Sequence, residues 1–109
     1  MTYDRALGAL ADPTRRAIFE FLSDCPSAVG ELAARLPVSR PAVSQHLKVL
    51  KEAGLVAEER HGNRHIYQLD PNGLAELRDY LDRFWDQALA GFKAKAEQRF
   101  EQRKDRPDE

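Results

Sequence analysis

Arg40, Ser44, Gln45 and Lys48 are the side chains of this sequence best suited to recognising another molecule. Projected on a helix at about 100° per residue, they share one polar arc with Pro41 and Lys51, while Val43, Leu47 and Leu50 gather into an apolar stripe about 60° wide. From Ser39 to Lys51 there are three basic residues and no acid. An arginine can donate two hydrogen bonds to guanine, a glutamine can pair with adenine, and a serine adapts to either. A lysine supplies a charge for phosphate. The pattern therefore points to contact with nucleic acid through Ser39, Arg40, Pro41, Ser44 and Gln45, with Lys48 on the backbone. A merely solvated helix face would explain these residues in isolation. The short helix expected before them and the tight turn between favour a helix-turn-helix instead. His46 projects beside Leu50, outside the arc, and is expected to pack at the edge of the core rather than to touch DNA.

Other reactive side chains do not assemble into a site. Ser44, His46 and Asp70 fall on different elements, so no nucleophile, base and acid converge and an enzyme is not expected. A single cysteine, Cys25, excludes an intrachain disulfide and a zinc site built of cysteines. A buried or inert thiol is the expectation there, with modification of Cys25 as the alternative. Asp79, Asp82 and Asp86 share a helix face with Arg78 and Arg83 nearby, which reads as a solvated face rather than a cation site. His61 and His65 straddle a turn and are not spaced as ligands. Neither a metal nor a cofactor is expected.

These side chains must be positioned by a small fold. The chain has 109 residues, 17 basic and 18 acidic, for a formal net charge of −1. That length fits one domain, small enough to gain from a partner subunit. No apolar run approaches the roughly 18 residues of a membrane span. The N-terminus lacks the basic start and apolar stretch of a secretory signal, so a cytoplasmic location is expected. The balanced charge argues at first against nucleic acid, yet it is unevenly spread. Ser39–Lys51 is basic without an acid, Arg60–Gln68 adds Arg60 and Arg64 with two histidines, and Glu52, Glu58 and Glu59 lie between.

The punctuation predicts seven elements. A first short helix covers Tyr3 to Leu10. Asp12 and Pro13 cap and open a second, to Leu22. A third spans Val29 to Leu36, with Val29, Leu32, Ala33 and Leu36 on one face. Ser39 caps a fourth that stops at Gly54. Leu55 to Arg60 and Arg64 to Leu69 flank His61-Gly62-Asn63 as a β-hairpin. Asp70-Pro71-Asn72-Gly73 then opens a long helix. The reading is a mainly α fold with a small hairpin, in the order α-α-α-α-β-β-α, as one domain over 1–99 followed by a charged tail, 100–109, expected to fray. The hairpin projects Arg60, His61 and Arg64, which are assigned to DNA contact beside the recognition helix.

Taken together, Ala11-Asp12-Pro13-Thr14-Arg15-Arg16, Val29-Gly30-Glu31-Leu32-Ala33, Ser39 through Leu50 and Ala53-Gly54-Leu55-Val56 resemble the ArsR/SmtB family of bacterial repressors, from about Leu7 to Phe92. The resemblance implies a winged helix-turn-helix homodimer that binds double-stranded operator DNA and is released by an effector. It also implies that the first and last helices form the dimer interface. Tyr3, Leu7, Leu10, Leu74, Leu77, Leu81, Phe84, Trp85, Ala88 and Phe92 are the residues assigned to it. The family's arsenic and lead sensors carry Cys-x-Cys where this chain has Ala28-Val29-Gly30-Glu31-Leu32, and its zinc and nickel sensors place histidines on a last helix that has none here. The C-terminal stretch from Leu81 to Lys93 is similar to the branch without metal ligands, so the effector is unknown, a small organic molecule or none. The rival reading is a winged helix used for protein contact.

Overall fold

The structure, a computed structural model, describes the backbone of residues 2–105 and the side chains of residues 3–102. Among them the order is α1 (Thr2–Ala11), α2 (Pro13–Asp24), α3 (Val29–Arg35), α4 (Arg40–Glu52), β1 (Val56–His61), β2 (Arg64–Leu69) and α5 (Pro71–Asp105). This is the predicted sequence of elements, and it is a winged helix-turn-helix. α5 continues past Arg99, where the expected domain ends, and residues 106–109 of the expected tail lie outside the described residues. The chain divides into two units at the step from Leu77 to Arg78, so that α1 to α4, the hairpin and the start of α5 form the first and the rest of α5 the second.

Local chemistry accounts for the boundaries. Asp12 accepts the Arg15 N–H at 2.9 Å and Pro13 enters α2 where no N–H is needed. Ser39 Oγ accepts the Ala42 N–H at 3.3 Å, which starts α4 in register with its neighbours. α4 ends in a Schellman motif: Leu55 N–H donates to the Leu50 carbonyl and Gly54 N–H to that of Lys51, with Gly54 at φ +80°. The hairpin loop is two residues, not three. His61 pairs with Arg64, leaving Gly62 (φ +63°) and Asn63 as the turn. Glycine at the first loop position with no positive φ at Asn63 is the type II′ arrangement that suits strand twist.

The first unit closes over Ile18, Leu22, Leu32, Val43, Leu47, Leu50, Leu55 and Val56, all essentially without exposure. The apolar stripe of α4 supplies three of them, so the same helix that turns Val43, Leu47 and Leu50 inward turns its polar arc out. A third extended segment joins the hairpin: Ser27 and Tyr67 exchange backbone hydrogen bonds at 2.8 and 3.0 Å. Ser27 is buried and its hydroxyl donates to the Cys25 carbonyl. That bridge ties the loop before α3 to the wing.

Candidate nucleic-acid interface

Ser39, Arg40, Pro41, Ser44, Gln45 and Lys48 are all exposed, along one side of α4. Between α3 and α4 the connection is short, Leu36 to Ser39, with Leu36 N–H still bonded to the Leu32 carbonyl and Val38 N–H to that of Leu36. Arg40, at the first position of α4, does not extend freely. Its guanidinium lies over Gly30 of α3, where a Cβ would stand 2.5 Å from Nη2. His46 is half-buried, off the polar arc. The carboxyl of Asp12 is held below its ordinary value chiefly by the Arg15 N–H, against the opposing cost of burial, with smaller contributions from Arg15 and His46.

The hairpin brings Arg60, His61 and Arg64 to the same exposed end, but the pleat separates them. Cross-strand pairing puts Glu58 opposite Tyr67 and Arg60 opposite His65 on one face, and His61 opposite Arg64 on the other. Arg60 Nε donates to the Gly62 carbonyl at 3.1 Å and is tied to the turn. His61 Nε2 lies 3.3 Å from Glu59. Arg64 donates to the Glu31 carboxylate of α3. On the inner face Glu58 accepts from His65 at 2.5 Å and lies 3.7 Å from Lys51 of α4. Its carboxyl is held below the ordinary range first by the Tyr67 hydroxyl and then by His65. The phenol of Tyr67 is pushed up to about 12 by burial and by that same hydrogen bond.

Two participants escaped the sequence reading. Glu31 carried a faint signal, an acid three residues after the start of a helix, where it can reach back to a backbone N–H. Ser27 carried none, because a single bridging pair has no periodicity. Cys25 is exposed rather than buried, its thiol 3.4 Å from the Pro26 carbonyl. Of the residues assigned to a dimer interface, Leu77 is buried in its own core, and Tyr3, Leu10 and Leu74 pack against that core. Leu7, Leu81, Phe84, Trp85, Ala88 and Phe92 are exposed. Among the described residues, no three His, Cys, Asp or Glu side chains group as they would around a metal ion. No helix there is long and apolar enough to cross a membrane.

A short helix, a tight turn, a second helix with an outward polar arc and a basic hairpin define a winged helix-turn-helix DNA-binding domain. Residues 10–59 match the family model described as a helix-turn-helix domain. An HTH-type transcriptional regulator of Mycobacterium tuberculosis is 67% identical over 89 residues, which cover 82% of this chain and 83% of that protein. Among solved structures, an ArsR-like transcriptional regulator from Rhodococcus sp. RHA1 superposes with a TM-score of 0.72 at 34% identity, covering 87% of this chain and 92% of that one. The homodimeric winged helix-turn-helix DNA-binding domain of a possible ArsR-family regulator from Mycobacterium bovis gives 0.64 at 28% identity, covering 79% and 80%. The chain belongs to the ArsR/SmtB family of winged-helix transcriptional regulators, which are not enzymes.

Proposed function

We propose that this chain is a cytoplasmic repressor that binds an imperfect palindrome in double-stranded operator DNA as a homodimer, without a metal. The carrying observation is the exposed polar face of α4, basic and without an acid from Ser39 to Lys51 although Glu52 closes the helix, started by the Ser39 cap and backed by the buried Val43, Leu47 and Leu50. Arg40, Ser44 and Gln45 read base edges near the N-terminus of α4, flanked by Ser39 and Pro41, and Lys48 holds phosphate. Arg60, His61 and Arg64 of the hairpin take the flanking backbone or minor groove. Two-fold symmetry sets the two recognition helices about 34 Å apart, one helical turn of DNA. Repression follows from occluding a promoter. An effector, a small organic molecule if one acts at all, works by favouring a dimer in which the two helices miss successive grooves.

The test is to incubate the full chain with fragments of its own genome, sequence what it retains, and measure affinity for that duplex across salt concentrations. The expected result is a fragment bearing two related half-sites whose affinity falls steeply with salt, because phosphate contacts release counterions. Salt-independent binding, or retention without sequence preference, overturns the reading and favours a protein-contact module.

A further inference from the structure

We propose that Glu31 is a built-in counter-anion for the wing, a positioning residue that holds Arg64 and lowers its grip on DNA phosphate. This rests on the DNA-binding reading above and adds to it a residue outside the recognition helix.

Glu31 is fixed from its own side. Its Oε1 accepts the Ala28 N–H at 3.3 Å, at the start of α3, so the carboxylate stands where it does without help from the wing. Arg64 opens β2 and donates to that same oxygen, across 33 residues of sequence. Beside it Gly30 leaves room for the Arg40 guanidinium to lie on the backbone of α3. Two of the three arginines assigned to DNA, Arg40 and Arg64, thus flank one open groove of about 720 Å³ whose lining also includes Ala28, Gly30 and Glu31, and Glu31 is the one acid among the lining residues.

A phosphate approaching Arg64 in this groove is attracted by its guanidinium and repelled by the Glu31 carboxylate that holds it. The Arg64–Glu31 pair is half exposed on both sides, 64% and 49%, so it is weak enough for DNA to displace. Its cost falls on every sequence equally, since phosphate contacts carry no base information. Glu31 therefore reduces indiscriminate binding and leaves discrimination to Arg40, Ser44 and Gln45.

The experiment compares the full-length wild type, Glu31→Gln, Arg64→Gln and the double variant on the retained duplex and on an unrelated one. The glutamine keeps an oxygen for the Ala28 N–H. Glu31→Gln is expected to bind both duplexes roughly threefold tighter at low salt. Its log–log salt slope is expected to steepen by up to about one. Both gains should vanish when Arg64→Gln is added. An unchanged affinity and slope, or a gain that survives Arg64→Gln, overturns the proposal while the DNA-binding reading stands. Wild-type protein that binds neither duplex overturns both. Independently of any variant, the Arg64 Nε–H resonance of the wild type should shift on titration with the duplex, and a resonance that stays in place overturns the proposal.

Discussion

Gly73, in the first turn of α5, sits against the backbone carbonyl of Gly54 so closely that a Cβ there would overlap the oxygen. The contact joins the end of the recognition helix to the start of the last one. Asp70 N–H donates to the Leu55 carbonyl at 2.9 Å next to it, and the Asp70 carboxylate accepts the Asn72 N–H. Alanine at 73 would gain helix propensity of up to about 1 kcal/mol, but the overlap is with backbone, which cannot swing aside. We expect Gly73→Ala to destabilise the domain by about 1–3 kcal/mol, the range for overpacking. Gly54→Ala, forced to a positive φ, should cost about 1 kcal/mol. Denaturant unfolding followed by circular dichroism checks both.

Ser39 supports function through structure. Its hydroxyl satisfies the Ala42 N–H and sets the first turn of α4, from which Arg40 departs. Ser39→Ala should lower stability by about 1 kcal/mol. Restoring the cap with Ser39→Asp should recover the stability but weaken DNA binding, because it adds an anion where phosphate approaches. Thermal melts and duplex titrations on the same samples separate the two effects.

Much of this fold was legible because its signals are local. Asp12 and Pro13, Ser39, and Gly54 mark helix ends by hydrogen bonds made within a few residues, and all three caps stand as the sequence suggested. The apolar stripe of α4 was legible for the same reason, being periodic. What escaped is long-range. The Ser27–Tyr67 bridge and the Arg64–Glu31 pair join segments far apart in sequence, and neither leaves a periodic trace. The loop length was misjudged by one residue because His61 is polar and lies next to the glycine, yet it completes the ladder with Arg64. Leu77 shows the limit of reading a helix face as an interface: apolar spacing is the same whether a side chain meets its own core or a partner, and Leu77 meets its own.

Glu58 and Tyr67 should make stability pH-dependent at both ends, the carboxyl chiefly through the Tyr67 hydroxyl and the phenol chiefly through burial. The carboxyl of Glu58 lies below its ordinary 4.5 in the fold, so its contribution is present above that value and is lost as acid protonates it. The phenol of Tyr67 is raised from 10.0 to about 12, so the fold favours the protonated form. That contribution is complete below pH 10 and disappears as pH rises towards 12. The phenolate absorbance of Tyr67, isolated by comparison with Tyr67→Phe, should titrate near the upper value. In the same variant the Glu58 carboxyl should move back up towards 4.5, as followed by its carbon resonance.

Base readers and phosphate holders should fail differently. Arg40→Ala and Gln45→Ala should each cost about 1–3 kcal/mol on the retained operator and little on unrelated DNA. Lys48→Ala should weaken binding to both alike and reduce the log–log salt slope by about one. Titrations of two duplexes at several salt concentrations distinguish the patterns. A double Arg40→Ala/Gln45→Ala variant that binds the operator like wild type would remove α4 from base recognition.

Among the described residues, most of the large exposed apolar side chains lie on α5 beyond Arg78. Leu81, Phe84, Trp85, Leu89, Phe92 and Phe100 are each about half exposed or more, with Trp85 at 64% and Phe92 at 73%. Tyr80 meets Phe84 edge to face, and Arg83 stacks on Tyr80, so one flank of this helix is already dressed by its own side chains. The other large apolar groups have no such cover, and a monomer rarely leaves so much apolar area in water. In the homodimer proposed above, a second copy would cover it. Burying a single aromatic is worth roughly 1.5–3 kcal/mol, and symmetry counts each substitution twice. Trp85→Glu should therefore shift the protein from dimer to monomer at micromolar concentration, and Phe92→Glu should do the same. Sedimentation equilibrium reads the mass directly. The Trp85→Glu monomer should keep the unfolding transition of the first unit, because Trp85 is absent from that core. It should also lose most operator affinity, because one recognition helix reads only one half-site. A wild type that sediments as a monomer at that concentration would remove the interface and, with it, the two-fold operator.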